Sequence, residues 1–300
     1  MFSIEYFLMQ GANGLIIGCL YALMALGLTV IFSVLKIINF GHGEFYMIGG
    51  YMSYALLTLV GGLNPFVGVL FAIVVLLALG SAFDALFLRP LHKGIVERPD
   101  EYAILVTFGL SFFLQNLMLG LAGPFPHRTE SFMPGGIQIG SIMISADRLI
   151  AAGVALILMF GLLSFIKLSW TGKAMRAVSQ DREAASVTGI NPIKTGNIAF
   201  SIGAALAGAS GALIAPIFSI VPDVGVLPAI RSFIIVVLGG MGSVKGAILG
   251  GLIIGLVESM GASFIPDMSR ALAYRELYGL MLFVIVLLFR PRGLFGEEYS

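Results

Sequence analysis

Two polar segments interrupt a chain that is otherwise almost entirely apolar, and each could bind a ligand or a partner. The first is Asn39-Phe40-Gly41-His42-Gly43-Glu44, in which two glycines around a histidine permit a tight turn. Asn39 and Glu44 can cap and charge-match the N-terminus of a following helix. If that helix starts at membrane depth, its positive end and the polar groups of Asn39, His42 and Glu44 could receive the anionic part of a transported molecule. The alternative is a capped interfacial turn with no further role.

The second segment, residues 170–194, is the one long polar interruption of the sequence. Its charged residues include Lys173, Arg176, Asp181, Arg182 and Glu183. It also carries an N-cap, two first-turn acids, a C-terminal glycine and a proline stop, which are Ser179, Asp181, Glu183, Gly189 and Pro192.

These signals predict a helix over residues 180–188, about two turns long and unstable in water unless something packs against it. Ala184, Ala185 and Val187 offer small apolar contacts to a docking partner. The alternative is a helix resting on lipid headgroups, but an apolar face without Trp, Phe or Leu would anchor it poorly.

Several other chemistries are excluded. The single cysteine, Cys19, can form neither a disulfide nor a cysteine-based metal site within the chain. No H-E-x-x-H or G-x-S-x-G motif is present, and the glycine-rich stretch near residue 242 lacks a phosphate-loop pattern. A net charge of +1 gives no electrostatic footprint for nucleic acid. We therefore expect no catalytic residue, no metal and no cofactor in this chain.

The composition places both segments in a membrane protein. Hydrophobic residues make up 58% of the chain and charged residues 11%, and the mean hydropathy is +1.01. About 20 apolar residues are needed to cross the hydrocarbon core. Six runs meet that test, and three later ones are short: residues 11–35, 45–60, 65–88, 103–120, 149–166 and 196–221, then 233–244, 246–257 and 277–289.

The predicted fold is an all-α polytopic membrane protein with about eight transmembrane segments, two of the short runs being half-helices. Residues 1–300 are expected to form a single transmembrane domain, with the segment 170–194 as a cytoplasmic loop.

The bias of Lys and Arg predicts the orientation. The basic residues assigned to one side of the membrane are Lys36, Arg89, Lys93, Arg98, Lys167, Lys173, Arg176, Arg182, Lys194, Arg290 and Arg292. The opposite loops hold Arg128, Arg148, Arg231, Arg270 and Arg275. The first side is expected to be cytoplasmic, with the N-terminus outside and the C-terminus inside. Residues 233–257 must then form a broken hairpin that enters and leaves from outside, with Lys245 near its inner tip.

Glycine is abundant, at 39 residues, and it clusters inside the apolar runs. One interpretation is close helix packing through small residues spaced by four. The other is a discontinuous helix, broken at residues 242–246, whose freed backbone lines a cavity. Gly240, Gly242 and Ser243 are accordingly pathway candidates. This break and the turn at residues 39–44 occupy corresponding places in the two halves, as in transporters built from internal repeats.

Two acidic residues are expected to have ordinary roles. Asp84 lies near the inner end of its run and is expected to snorkel or to pair with Arg89. Glu258 ends the run 246–257 and is expected at the membrane interface. No pair of deep carboxylates suggests a proton or sodium relay.

Four motifs resemble a known family. Glu183-Ala184-Ala185 followed by Gly189 resembles the E-A-A-x-x-x-G loop through which permeases of ATP-binding-cassette importers dock on their ATPases. The others are Asn39 through Met47, Arg176-Ala177 through Gly189-Ile190-Asn191, and Leu238 through Ser243 with Gly246-Ala247 and Gly250-Gly251. Together these resemble the LivH-type inner-membrane permease of bacterial branched-chain amino acid importers, from about residue 10 to residue 296.

The resemblance implies a permease subunit that forms half of a pathway for branched-chain or related amino acids. It implies four partners besides membrane lipid: a LivM-type permease, two ATP-binding subunits that hold the ATP, and a periplasmic binding protein. The coupling residues it implies are Arg176, Asp181, Glu183, Ala184, Ala185 and Gly189. Relatives in this family also import urea, short amides and other amino or carboxylic acids. A function of another class remains open, namely a stand-alone ion-coupled transporter or channel for small polar solutes.

Overall fold

The computed structural model describes residues 4–139, 142–265 and 268–296, and nearly all of its secondary structure is α-helical. In lipid each backbone N–H and C=O needs a partner within the protein, and a helix supplies these partners within one segment. The helices are α1 Ile4–Leu35, α2 His42–Val60, α3 Pro65–Phe83, α4 Arg89–His92, α5 Pro99–Ala122, α6 Ala146–Leu168, α7 Trp170–Gln180, α8 Arg182–Val187, α9 Pro192–Ile214, α10 Val226–Gly239, α11 Val244–Ser263 and α12 Met268–Phe289.

The three remaining elements are short. A π-helical turn, Asp84–Leu88, joins α3 to α4. The strands β1 Gly136–Ile139 and β2 Ile142–Ser145 pair antiparallel just before α6, with Gly136 opposite Ser145. The predicted all-α polytopic class is confirmed.

Six helical segments in the described part of the chain are long and apolar enough to cross a membrane. They are Glu5–Leu35, Pro65–His92, Pro99–Ala122, Ala146–Leu168, Pro192–Ile214 and Val244–Ser263. Three further helices are α2, which has 19 residues, α12, which has 22, and the apolar α10, which has only 14. The figure of about eight transmembrane segments stays a prediction, as does the relation between the two halves.

Glycine packing builds the centre of the bundle, where α1 and α9 are the most buried of the six spans. On α11, a Cβ added at Gly251 would lie 2.6 Å from the backbone of Ala22. On α9, a Cβ at Gly208 would lie 2.6 Å from the Leu76 side chain of α3. Such contacts require a bare glycine, because real Cβ atoms do not approach that closely. The interpretation of the glycine stripes as packing surfaces is therefore correct for these helices.

Helix contacts define two ends of the bundle. The antiparallel pair α1 and α11 places Gly242 beside Ser33 at one end and Gly14 beside Ser259 at the other. The first end also holds the C-terminal turn of α1 and the start of α9, which meet at Gly196. We call it the basic end, because the Lys and Arg residues that the sequence groups on one side lie on elements that meet there. The opposite end is called the far end.

The last three helices correct the predicted spans. α11 and α12 are full-length helices that continue past the expected bounds, and only α10 is short. Arg231 and Arg275 lie inside α10 and α12 and not in loops, while the side chain of Arg270 lies outside the described residues. Conversely, α9 ends at Ile214 and not at residue 221, and a non-helical segment, residues 215–225, follows it.

Candidate functional site

The turn before α2 re-enters the bundle. His42 at the start of α2 lies beside the middle of α1, with its Nε2 3.0 Å from the carbonyl oxygen of Met24. Met24 lies about 16 Å before the end of α1, given a rise of about 1.5 Å per residue. The chain leaves α1 at Lys36, whose φ of +57° is unusual for a residue with a side chain. α2 therefore begins at depth within the bundle, which is one of the two alternatives that the sequence left open.

Three polar side chains are enclosed at this turn. Asn39 and His42 are fully buried, and Glu44 is 3% exposed. The Asn39 side chain does not cap α2, because its Oδ1 accepts a hydrogen bond from Gly41 N within the turn. Glu44 Oε1 accepts one from Ser111 Oγ of α5, at 2.8 Å. Asn39 Nδ2, His42 Nδ1 and Glu44 Oε2 have no hydrogen-bond partner among the described residues.

A cavity lies towards the far end, and these three residues do not line it. It has a volume of about 540 Å³ and is enclosed by α1, α2, α9, α10, α12 and the segment 215–225. We call it the far-end cavity. Its apolar wall is formed by Ile17, Leu20, Met24, Ile214, Phe218, Val221, Val224, Val226, Leu227 and Pro228. Its polar lining is Tyr21, Tyr46, Ser210, Asp223, Arg231 and Arg275.

A buried ionic cluster stands at one side of this cavity. Glu258 Oε1 accepts a hydrogen bond from Arg231 Nε at 3.0 Å, and its Oε2 accepts one from Tyr21 Oη at 3.2 Å. Arg275 Nε lies 3.3 Å from Glu258 Oε2. The Arg231 guanidinium also contacts Glu276 at 3.5 Å and lies 5.2 Å from the centre of the Tyr21 ring. Charges at such depth persist only when they are paired.

The cluster was missed at the sequence level. Glu258, expected at the interface, is 2% exposed and binds residues of three other helices. A signal was available, because an ionisable residue inside an apolar helix is by default a functional candidate, and Arg231 stands in such a run. Its partner Glu258 is 27 residues away, and that pairing cannot be read from one sequence.

The predicted break at residues 242–246 is a closed turn between α10 and α11 at the basic end. Gly240 and Gly242 have φ values of +100° and +88°, which favour glycine. Ser243 Oγ caps α11 by accepting a hydrogen bond from Gly246 N at 3.1 Å. The last two carbonyls of α10 accept hydrogen bonds from the backbone of residues 294 and 295. The backbone groups at this turn thus have hydrogen-bond partners at the basic end, and the turn does not line the far-end cavity.

The polar insert forms two helices at the basic end. α7 is amphipathic: Gly172, Met175 and Val178 face the bundle, while Lys173 and Arg176 are exposed. The predicted single helix over residues 180–188 is therefore wrong at its start. The chain breaks after α7, and the shorter α8 follows.

The caps of α8 explain its bounds. Asp181, and not Ser179, is the N-cap, since its extended backbone ends α7 and its Oδ1 accepts hydrogen bonds from the N–H groups of Glu183 and Ala184, both at 2.9 Å. At the other end Gly189, with a φ of +87°, donates to Ser186 O, and the next N–H donates to Ala185 O. This pattern is a Schellman motif. The predicted C-terminal glycine cap is confirmed.

The surface of α8 divides into two faces. Ala185 is 4% exposed and packs into the core of its own chain, so it anchors the helix and does not offer the apolar contact expected of it. Glu183, Ala184 and Val187 face outwards, and Val187 is 89% exposed. The helix thus presents acidic and apolar groups away from the bundle.

A polar network lies beneath α8. Arg182 Nη2 donates to the carbonyl of His92 at 3.1 Å. His92 Nε2 lies 2.8 Å from Asp84 Oδ1, and Asn197 Nδ2 donates to Asp84 Oδ2 at 3.0 Å. The buried partners of Asp84 are thus His92 and Asn197, and not Arg89 as expected. The network joins α8 to the π-helical turn, α4 and α9.

No group of three His, Cys, Asp or Glu side chains placed to hold a metal ion occurs in the described part of the chain. The candidate site thus consists of an enclosed polar turn, a charged cavity and an exposed, capped helix.

Comparisons with known proteins give a consistent result. The model of the family "Branched-chain amino acid transport system / permease component" matches residues 11–289. The chain is 34% identical to the high-affinity branched-chain amino acid transport system permease protein BraD of Pseudomonas aeruginosa, covering 98% of this chain and 97% of BraD. It is 32% identical to the permease protein LivH of Escherichia coli K12, covering 97% and 96%.

Two further similarities are more distant. The permease protein LivM of Escherichia coli K12 is 28% identical, over 92% of this chain and 67% of LivM. A chain of the solved complex of PsaBC from Streptococcus pneumoniae with a Fab aligns at a TM-score of 0.51 and 14% identity, covering 97% of this chain and 94% of that chain. This last likeness shows the fold alone.

Proposed function

Because this chain belongs to the family of branched-chain amino acid transport permease components, we propose that it forms half of the translocation pathway of an importer of branched-chain amino acids. ATP-binding-cassette permeases do not hydrolyse ATP themselves and must be moved by partner ATPases. The observation that carries the proposal is α8, a capped helix that stands on the surface with its outer face uncovered. Such a short helix is suited to be held by another protein.

The proposed complex has five chains. Relatives named LivH and LivM both match this chain, which supports a second permease of the LivM type beside it. Two ATP-binding subunits would dock at the basic end, and a periplasmic binding protein would deliver substrate at the far end. Membrane lipid surrounds the remaining apolar faces.

The proposed coupling residues are Arg176, Asp181, Glu183, Ala184, Ala185 and Gly189. Asp181 caps the N-terminus of α8 and Gly189 caps its C-terminus, so the helix can move as a rigid body. Ala185 fixes the inner face of α8 to the bundle, while Glu183 and Ala184 face the ATPase. Closure of the ATPase dimer would displace α8, and the Arg182 contact with the carbonyl of His92 would pass the displacement to α4.

The proposed orientation in the membrane rests on the basic end. The basic end faces the cytoplasm of a bacterial cell, in agreement with the charge bias and with the position of α8. The N-terminus is then outside and the C-terminus cytoplasmic in the inner membrane.

The proposed pathway passes the start of α2. Asn39, His42 and Glu44 supply enclosed polar groups with unused hydrogen-bonding atoms there. Gly240, Gly242 and Ser243 belong to the turn at the basic end, where they are proposed to border the inner exit of the pathway. Gly240 lies against the C-terminal segment, since a Cβ added there would lie 2.5 Å from the Gly296 nitrogen, and this contact supports a role in closing that exit.

Reconstitution tests the proposal. The chain is co-expressed with its LivM-type partner and ATPase subunits, and the purified complex is placed in proteoliposomes with the binding protein. Leucine uptake that requires ATP and all components is the expected result. A chain that purifies alone and takes up leucine by an ion gradient would overturn the proposal in favour of a stand-alone transporter.

A further inference from the structure

The far-end cavity carries an imbalance of enclosed charge. Arg231 and Arg275 are 16% and 22% exposed, whereas Glu258, the acid that both contact, is 3% exposed. The other acid in contact, Glu276, is 48% exposed and well screened by solvent. Two cations thus share one enclosed anion. An incoming anionic group would complete the pairing.

The two arginines are not equivalent. Arg231 contacts Glu258, Glu276 and the face of the Tyr21 ring. Arg275 contacts Glu258 at 3.3 Å without hydrogen-bond alignment, and its Nε and Nη2 have no hydrogen-bond partner among the described residues although both atoms are buried. A guanidinium with unused donors is suited to a carboxylate, which can accept two parallel hydrogen bonds.

The rest of the cavity suits the remainder of an amino acid. Asp223, in the segment 215–225, lines the same cavity and is exposed, so it can receive a cation. Much of the remaining lining is apolar, with Leu20 and Met24 from α1 and Ile214 and Phe218 from the end of α9 and the segment after it. The volume, about 540 Å³, lies within the range of about 300–1,000 Å³ common for small-molecule sites.

We propose that the far-end cavity is a binding site for a zwitterionic aliphatic amino acid. Arg275 binds the α-carboxylate, Asp223 binds the α-ammonium group, and the apolar wall holds the aliphatic side chain. Arg231 and Glu258 position Arg275. This inference rests on the proposed function and assigns a substrate site within it.

Uptake by the full complex in proteoliposomes gives the first test. Arg275→Gln should lower the initial rate of leucine uptake about tenfold or more, because a buried charge-assisted bond is lost, and Arg275→Lys should restore part of it. Asp223→Asn should lower the rate several-fold. The matched control is Glu130→Gln, an exposed carboxylate outside the cavity, which should transport like the unsubstituted complex. ATP hydrolysis stimulated by the loaded binding protein should persist in all of them, since α8 is unchanged.

Thiol protection gives a second test that needs no turnover and no variant of the charged residues. A cysteine replaces Leu227, which lines the cavity and is 48% exposed, in a Cys19→Ala background with cysteine-free partners. Leucine should slow the modification of Leu227→Cys by a methanethiosulfonate reagent. 3-Methylbutylamine, which is leucine without its carboxylate, should not.

The outcomes separate the two proposals. Leucine uptake by the unsubstituted complex with equal rates in Arg275→Gln and Asp223→Asn overturns the site and leaves the importer in place. Equal protection by leucine and by the amine, or none by either, also overturns it. A complete complex that takes up no leucine overturns the proposed function, and the amino acid site falls with it.

Discussion

Gly189 allows the coupling proposal to be tested without disturbing side-chain packing. Its φ is +87°, and a Cβ added there would meet no atom within 4 Å. A substitution therefore costs only the strain of the left-handed conformation, about 1–2 kcal/mol for a residue with a Cβ and least for Asn, whose short polar side chain tolerates that region. Gly189→Val and Gly189→Asn form a matched pair.

The expected effect follows from this cost. One to two kcal/mol changes the ratio of capped to frayed α8 by roughly 5- to 30-fold. α8 has only six residues, so loss of its C-terminal cap removes most of the helix. We expect Gly189→Val to lower the amount of leucine taken up per ATP hydrolysed about fivefold or more. Gly189→Asn should stay within about twofold of the unsubstituted complex.

The assay measures phosphate release and leucine uptake in the same proteoliposomes, with loaded binding protein outside. Equal uptake per ATP in the Val and Asn variants would refute the role of the Gly189 cap in coupling. Assembly is checked by size-exclusion chromatography. A Val variant that fails to assemble would assign Gly189 to docking, and Gly189→Ala, with a smaller side chain, would then be measured for coupling.

Three further predictions concern packing, charge and transmission. Gly211→Ala should lower the thermal unfolding temperature of the purified complex, because its Cβ would overlap the backbone of α2 at a cost of about 1–3 kcal/mol, whereas Gly153→Ala meets no atom and should be neutral or stabilising. Glu258→Gln should reduce the yield of folded complex in detergent, since two arginines would lose their shared anion, and an unchanged yield would contradict the pairing. Arg182→Gln should lower uptake per ATP without changing ATPase docking in a pull-down, because only the link to α4 is removed.

Local signals predicted the elements that local chemistry decides. The polar and glycine residues 39–44 indicated a helix from Phe45, and α2 begins three residues earlier, at His42. The end of α8 follows from Gly189 and Pro192. The start of α8 could not be chosen locally, because Ser179 and Asp181 are both good N-caps. Packing decided it: α7 is held against the bundle by Met175 and Val178, so the helix continues past Ser179.

The charge pairing across the bundle could not be predicted from local sequence patterns. Arg231, Glu258 and Arg275 read as interruptions of apolar runs, which made the last three helices look shorter than they are. In the structure Arg231 of α10 and Arg275 of α12 both contact Glu258 of α11. These contacts lower the cost of placing the charges inside the bundle, and α11 and α12 run to full length. The same pairing forms one side of the far-end cavity, so the missed contacts also concealed the site.

One helix connects the two ends where function is proposed. α9 begins just after the Gly189 cap and ends at Ile214, and both Ser210 and Ile214 line the far-end cavity. Its 23 residues span about 33 Å. α9 is capped at its start by Asn191 and is tightly packed along its length, so a displacement of α8 at the basic end can reach the cavity as a movement of the whole helix. The proposed coupling requires no hinge between the two sites, because α9, which follows α8, is itself part of the cavity wall.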